Sequence, residues 1–415
     1  MANMSAASAV LHRLAEIRSW QEDLYRDLHQ HPELSHHEHR TARLVADRLR
    51  ATGYDVHERI GGTGVVGILR NGSGGSVLLR ADMDALPVQE ATDLPYASSA
   101  RSGDVPVMHA CGHDVHVTCL LGAASLLAEA TKDWSGTLIA LFQPAEETGD
   151  GARGMVEDGL ADLLPPVDVA LAQHVFPIPA GRVVTHPGPI LAAADSIRIT
   201  VYGRGAHGSM PQSGVDPVVL AAMIVLRLQT IVSREVAATD TVVLTVGAIH
   251  AGSKSNVISD RAVLEVNLRT YDDGVRETVL AAIRRVVTAE CQASNSAKEP
   301  DFELYDRFPP TVNDETVTAR VGDAFTGFFG ERHGPIGAGA ASEDFSDLPR
   351  ALGAPYTFWG IGGIDERLYR EAVDSGRVAQ DIPVNHSPTF APVIQPTLDT
   401  GTQALVVAAL AWLAT

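Results

Sequence analysis

Apolar residues recur at three- and four-residue spacing over 5–31 and again over 38–53, which predicts two amphipathic helices at the start of the chain. Short β-rich runs follow at 63–70 and 76–81, the second ending on Asp82-Met83-Asp84. A helix from about 114 to 131 leads to an apolar strand at 136–142, which ends just before Glu146 and Glu147. A helix near 151–159 then precedes a strand at 168–173 that stops at His174. Strands alternating with helices predict an α/β layer on a mixed, largely parallel sheet with helices on both faces. Ligands bind beyond the carboxyl ends of such strands, and Asp82, Glu146, Glu147 and His174 all fall there.

Between about 190 and 307 the pattern changes. Polar and apolar residues alternate over 195–202, a helix covers 216–233, and strands follow at 241–249 and 261–269. A helix at 274–291 and a strand at 301–305 complete a β-α-β-β-α-β order, the ferredoxin-like split unit. Alternation within these strands predicts one sheet face packed on helices and one open to contact. After Pro309-Pro310 the αβ character resumes, so 190–307 reads as a domain inserted into a discontinuous larger one, 1–189 with 308–415.

A chain of 415 residues is long for one core, which agrees with two domains. Acidic residues outnumber basic ones 51 to 32, and the formal charge of −19 argues against nucleic acid or anionic membrane as partner. Three cysteines make no disulfide framework and fit a reducing compartment. No signal peptide is evident at the N-terminus, and the apolar tail 404–414 is too short to span a bilayer. A cytoplasmic protein is the expectation.

The chemistry concentrates in two stretches. Residues 108–116, Met-His-Ala-Cys-Gly-His-Asp-Val-His, pack a thiol, three imidazoles and a carboxylate together. Phe142-Gln143-Pro144-Ala145-Glu146-Glu147 sets two adjacent carboxylates after an apolar run. Soft, borderline and hard donors in combination suit divalent transition metals, with one acid left for proton transfer. Plainer readings exist for each residue. A lone cysteine is usually a small buried hydrophobe, and a Glu pair at a helix start can simply favour the dipole. A Cys111 nucleophile with His113 or His109 as base is a rival reading that leaves the acidic pair unused. His174 and His386 are weak signals alone, and His29, His31, His36, His37 and His39 read as a polar helix junction around Pro32.

Leu79-Arg80-Ala81-Asp82-Met83-Asp84-Ala85-Leu86-Pro87, Met108 to Asp114, and Phe142 to Glu147 together resemble the M20 metallopeptidase family. The branch is that of aminoacylases, hippurate hydrolases and indole-acetyl-amino-acid hydrolases. Gly205-Ala206-His207-Gly208-Ser209, Asn256-Val257-Ile258-Ser259, Ser342-Glu343-Asp344-Phe345 and Asn385-His386-Ser387-Pro388 extend the likeness over nearly the whole chain. Segments 229–236 and 134–137 are also similar to bacterial N-acyl-glutamine aminoacylases.

The resemblance implies two divalent metal ions per subunit, Zn²⁺ favoured by the thiol and Mn²⁺, Co²⁺ or Ni²⁺ compatible with the other donors. It implies Cys111, His113, Glu147, His174 and His386 as ligands, Glu146 as general base and acid, and Asp84 as a residue that orients ligands. In the inserted lid, His207 matches the oxyanion-stabilising histidine, and Asn256 and Arg269 match positions that hold the substrate's carboxylate. The lid also implies a homodimer. Gly208-Ser209 departs from the Ala-Ala of many relatives, and Asp82 and Cys111 stand where other branches carry His and Asp. The implied activity is hydrolysis of N-acyl or N-aroyl amino acids, small-molecule substrates. A dipeptidase or peptidase with the same dinuclear site, and a non-catalytic scaffold of the same fold, are the alternatives.

Overall fold

The computed structural model describes residues 2–414, which separate into two compact units. One takes the residues up to Ile190, Val312–Ala338 and those from Asp344 onward; the other holds Leu191–Thr311 and Gly339–Glu343.

The first unit is built on an eight-stranded mixed sheet. Its strands lie in the order Asp55–Ile60, Gly64–Asn71, Gly136–Gln143, Ser76–Asp82, Val169–Pro179, Tyr356–Ile364, Val183–Thr185, His333–Pro335. The four central strands, Gly136–Gln143 through Tyr356–Ile364, run parallel, and the pairs toward Asp55–Ile60 are antiparallel. Along Ser76–Asp82 every residue is buried, as a strand covered on both faces requires. Val77, Leu79 and Ala81 join the main hydrophobic core, and Leu78, Ile139, Leu141 and Ala170 are equally buried on the other face. Helices His113–Glu129 and Ile394–Leu413 pack on each other and on the central strands. Both are apolar nearly all round, the signature of a helix enclosed by core rather than lying at the surface.

Two sequence expectations need correction here, and one strand went unread. The helix over 5–31 is two helices, Ala2–Leu11 and Leu14–Gln30, broken at His12-Arg13, where His12 turns its ring back to Ala9 O. Asp55–Ile60 is a strand the pattern missed, because its half-exposed polar residues show no alternation. The strand placed at 168–173 does not stop at His174 but runs Val169–Pro179. Its pairing with Ser76–Asp82 ends at Ala172, while Tyr356–Ile364 continues beside it through His174. His174 thus lies just beyond one neighbour and is still held by the other.

In the second unit the strands order as Val242–Ala251, Arg261–Thr270, Ala193–Tyr202, Asp301–Phe308, all antiparallel. Ile197, Ile199 and Val201 alternate inward with Leu264, Val266 and Leu268, against Leu220, Ile224 and Leu228 of Pro217–Arg234 and Val279, Ile283 and Val287 of Asp273–Ala293. The other face is polar, with Arg198 2.8 Å from both Glu265 and Glu303. A separate two-stranded antiparallel ribbon pairs Ala206–His207 with Val257–Ile258.

Candidate active site

The loop before His113–Glu129 turns sharply at Gly112, whose φ is +84°. A Cβ there would meet Val175 Cγ1 at 2.4 Å, so only glycine lets the helix start this close to the strand carrying His174. The turn leaves Cys111 and His113 beside each other at the helix N-terminus, where the helix dipole favours a thiolate. Beyond Gly136–Gln143 the chain turns at Ala145, again with positive φ (+51°), and places Glu146 and Glu147. Gly151 closes this turn by donating its N–H to Ala145 O at 3.1 Å.

These elements converge. Cys111 Sγ lies 3.4 Å from His174 Nε2. His113 Nε2 is 3.8 Å from Glu146 Oε2 and 3.8 Å from Glu147 Oε1, and Glu147 Oε2 is 3.3 Å from His386 Nε2. Two donor triads result, Cys111/His113/His174 and Cys111/Glu147/His386, each with its ligand atoms within 4.8 Å of one another. They share the thiol. Among the described residues, His113 Nε2 and Glu147 Oε1 are buried without a hydrogen-bond partner, as donors reserved for an ion would be. The donor set therefore fits divalent metal, on geometry and on chemistry.

Several of the donors are braced from behind, by side chain or by backbone. His113 Nδ1 is 2.9 Å from Asp84 O and 3.3 Å from Asp84 Oδ1, which aims Nε2 into the cluster. Asp84 Oδ2 accepts from Glu147 N at 3.0 Å and Ser35 Oγ at 2.7 Å. His174 Nδ1 lies 2.9 Å from Val175 O, again turning Nε2 inward. His386 takes a positive φ (+69°), with its N–H on Ala110 O at 2.8 Å. Asn385 Nδ2 bridges Cys111 O at 3.1 Å and Val175 O at 3.2 Å.

The electrostatics suit a cation. Burial raises the Cys111 thiol well above its usual range, reinforced by Glu147, Glu146 and Asp82, so a bound cation must displace its proton. Burial lowers His174 well below an ordinary imidazole, with His116 and His113 adding to it, so its lone pair is free of a proton. Burial opposes charge on His113, but Asp82 and Asp84 outweigh it and hold the ring to about 10 without metal. Asp82 is buried too, yet His113, His116 and Arg80 keep it well below the usual carboxylate range.

Sequence reasoning gave no role to His116, Arg80 or Asp82 beyond strand-end position and motif. His116 Nδ1 sits 2.5 Å from Asp82 Oδ1, and its Nε2 accepts Val175 N at 2.9 Å. With both nitrogens committed it is a strut between two strands rather than a ligand. Its spacing of three from His113 was the available signal, since i and i+3 share a helix face. Arg80, fully buried, donates to Asp82 Oδ2 at 2.7 Å and Gln143 Oε1 at 2.9 Å. His207, Asn256 and Arg269 lie in the second unit. His207 lies on the small two-stranded ribbon and Asn256 just before its second strand, with Gly208 N donating to Asn256 O at 2.8 Å, and both are exposed. Arg269 donates through Nη1 to Ala340 O at 2.7 Å and Ser342 Oγ at 3.1 Å. Its guanidinium forms no further hydrogen bond among the described residues.

Comparison with known proteins places this architecture. The description Peptidase family M20/M25/M40 matches residues 78–375, and the chain belongs to that family. It is 37% identical to thermostable carboxypeptidase 1 of Saccharolobus solfataricus over 85% of this chain and 88% of that one. It is 39% identical to the N-acetyl-L-cysteine deacetylase of Bacillus subtilis, over 81% and 79%. Among solved structures, a Bacillus subtilis dinuclear metal binding peptidase from the M20 family superposes with a TM-score of 0.76 at 27% identity, covering 95% and 98%.

Proposed function

We propose that this chain is a dinuclear metal amidohydrolase that cleaves N-acyl or N-aroyl amino acids to a carboxylic acid and a free amino acid. The observation that carries the reading is a pair of donor triads sharing the buried Cys111, one buried and the other opening to solvent at His386, with a further carboxylate, Glu146, at their edge. Cys111, His113, Glu147, His174 and His386 hold the ions, Zn²⁺ foremost because of the thiolate, with Mn²⁺, Co²⁺ or Ni²⁺ acceptable to the rest. Ions bound there lower the pKa of water and polarise the amide carbonyl. Glu146 takes the water proton and delivers it to the leaving nitrogen, first base and then acid. Asp84 fixes the ring of His113 throughout. His207 donates to the developing oxyanion, and Asn256 and Arg269 grip the carboxylate of the amino-acid half.

The carboxypeptidase relative supports a second reading, a peptidase with the same centre. Both readings release an amino acid with a free carboxylate and differ only in what lies on the acyl side. Metal-reconstituted enzyme assayed on N-acetyl and N-benzoyl amino acids against unblocked dipeptides decides between them. Faster turnover of the dipeptides would sink the first reading, and failure of chelation to abolish turnover would sink both.

Homodimerisation through the second unit is part of the proposal. Val218, Val219, Met223 and Leu226 of Pro217–Arg234 are exposed, as are Val243 and Ile249 of the edge strand Val242–Ala251. Sedimentation should show a dimer that Leu226→Asp dissociates; a monomeric wild type overturns it. The free, buried cysteines fit a cytoplasmic location, checked by cell fractionation.

A further inference from the structure

We propose that segment 33–38 is a brace that positions the catalytic carboxylate Glu146, with Glu38 as its positioning residue; this rests on the reading of Glu146 as the proton carrier. Ala145, immediately before Glu146, holds a left-handed backbone (φ +51°) that a Cβ disfavours. Its N–H is donated at 2.8 Å to Oε1 of Glu38, 107 residues earlier and fully buried. The same oxygen accepts His36 N at 3.0 Å, and Oε2 accepts Thr63 Oγ1 at 2.6 Å. At the far end of the turn, Asp150 Oδ1 lies 3.0 Å from His36 Nε2. Segment 33–38 thus grips residues 145–150 before and after the two glutamates. Ser35 adds a third hold through Asp84 Oδ2, which accepts Glu147 N.

The brace is itself anchored. Glu33 O accepts Ala85 N at 2.8 Å, and the Glu33 carboxylate caps the helix His39–Ala51 through Arg40 N and Thr41 N at 2.9 Å each. Glu38 forms no ion pair among the described residues, and a buried carboxylate with only neutral donors is a costly arrangement. Acceptor geometry, not charge, is therefore what Glu38 supplies. Glutamine can supply the same: its amide oxygen accepts the two backbone N–H groups, and its NH₂ donates to Thr63 Oγ1.

The test compares variants of the metal-loaded enzyme by kcat, KM and backbone amide exchange over 145–150. Misplacing a catalytic group by about 1 Å costs on the order of 10²-fold. Glu38→Ala should accordingly lower kcat by roughly 10- to 100-fold, leave KM within about threefold, and speed exchange about tenfold. Glu38→Gln should bring kcat back to within about threefold of wild type. Glu38→Ala/Ala145→Gly should recover about fivefold over Glu38→Ala, because glycine takes positive φ unaided. If Glu38→Ala does not fold, Glu38→Asp, which withdraws the acceptor by one methylene, replaces it with the same expectation. Unchanged exchange in Glu38→Ala overturns the brace, as does a Gln variant as impaired as Ala or a double variant with no recovery. Faster exchange with wild-type kcat overturns it too, and locates the fault in the role of Glu146 rather than in the contact.

Discussion

The two units carry their polar residues in opposite ways. In the first, Cys111, His113, Glu146, Glu147 and His174 are largely buried, and the hydrogen bonds around them come from several separate stretches of chain. In the second, His207 stands exposed on a strand of two residues, and Asn256 stands exposed just before another. With the roles proposed above, the difference amounts to a division of labour within the chain. Groups that must hold ions and move protons need fixed geometry, which burial and supporting hydrogen bonds supply. Groups proposed to meet a substrate need access, and an exposed two-stranded ribbon provides it at the cost of rigidity.

Substitution should expose that division, and the largest effect belongs to the buried side. Glu146→Gln removes a titrating carboxylate while keeping its shape, so kcat should fall by about 10²- to 10⁴-fold with metal content within a few per cent of wild type. Retained turnover would remove Glu146 from proton transfer. On the exposed side, His207→Ala should lower kcat by about 10²- to 10³-fold without touching the metal; lost metal would show that it acts through the centre instead. Arg269→Ala should act mainly on KM, raising it roughly 10- to 100-fold for substrates with a free carboxylate. An amidated analogue, which lacks that group, should be nearly indifferent to the change. Equal loss on both substrates defeats the assignment.

How much of this the sequence discloses follows the same division of distance. Elements whose signal is local were readable: the alternating strands of the second unit, the apolar strands ending at Asp82 and before Glu146, and the helix after Cys111. The candidate donors could be picked out because most of them fall in short motifs, and the fold brings them together. What local pattern conceals is anything set by a partner far along the chain. Glu38 sits at the edge of a polar, histidine-rich run, at the very start of a periodic stretch, and the contact that gives it a proposed role is with Ala145, 107 residues away. The polar junction around Pro32 was expected to be structural, and nothing in its spacing distinguishes the buried His29 from the exposed His36 and His37. The end of the strand at His174 was misplaced because Gln173-His174 looks like a polar boundary, whereas Tyr356–Ile364, brought in from far downstream, keeps it paired.

His29 gives the smallest effect and the finest test of how the buried side is supported. Its Nδ1 lies 2.7 Å from Asp114 Oδ2 and its Nε2 3.1 Å from Glu90 Oε1, all three side chains being inaccessible to solvent. Burial works against its charge, but Asp114 and Glu90 outweigh it and hold the imidazolium to about 10, against an ordinary value of 6.5. Because the folded pKa exceeds the unfolded one, the stabilisation is complete below about pH 6.5 and is lost as pH rises through about 10. Glutamine keeps hydrogen bonds but not the charge, so His29→Gln should melt below wild type at pH 6 by a few degrees. The gap should narrow steadily toward pH 10. A gap that is constant with pH would mean that shape alone, not a charged clamp on Asp114, supports the helix that begins at His113.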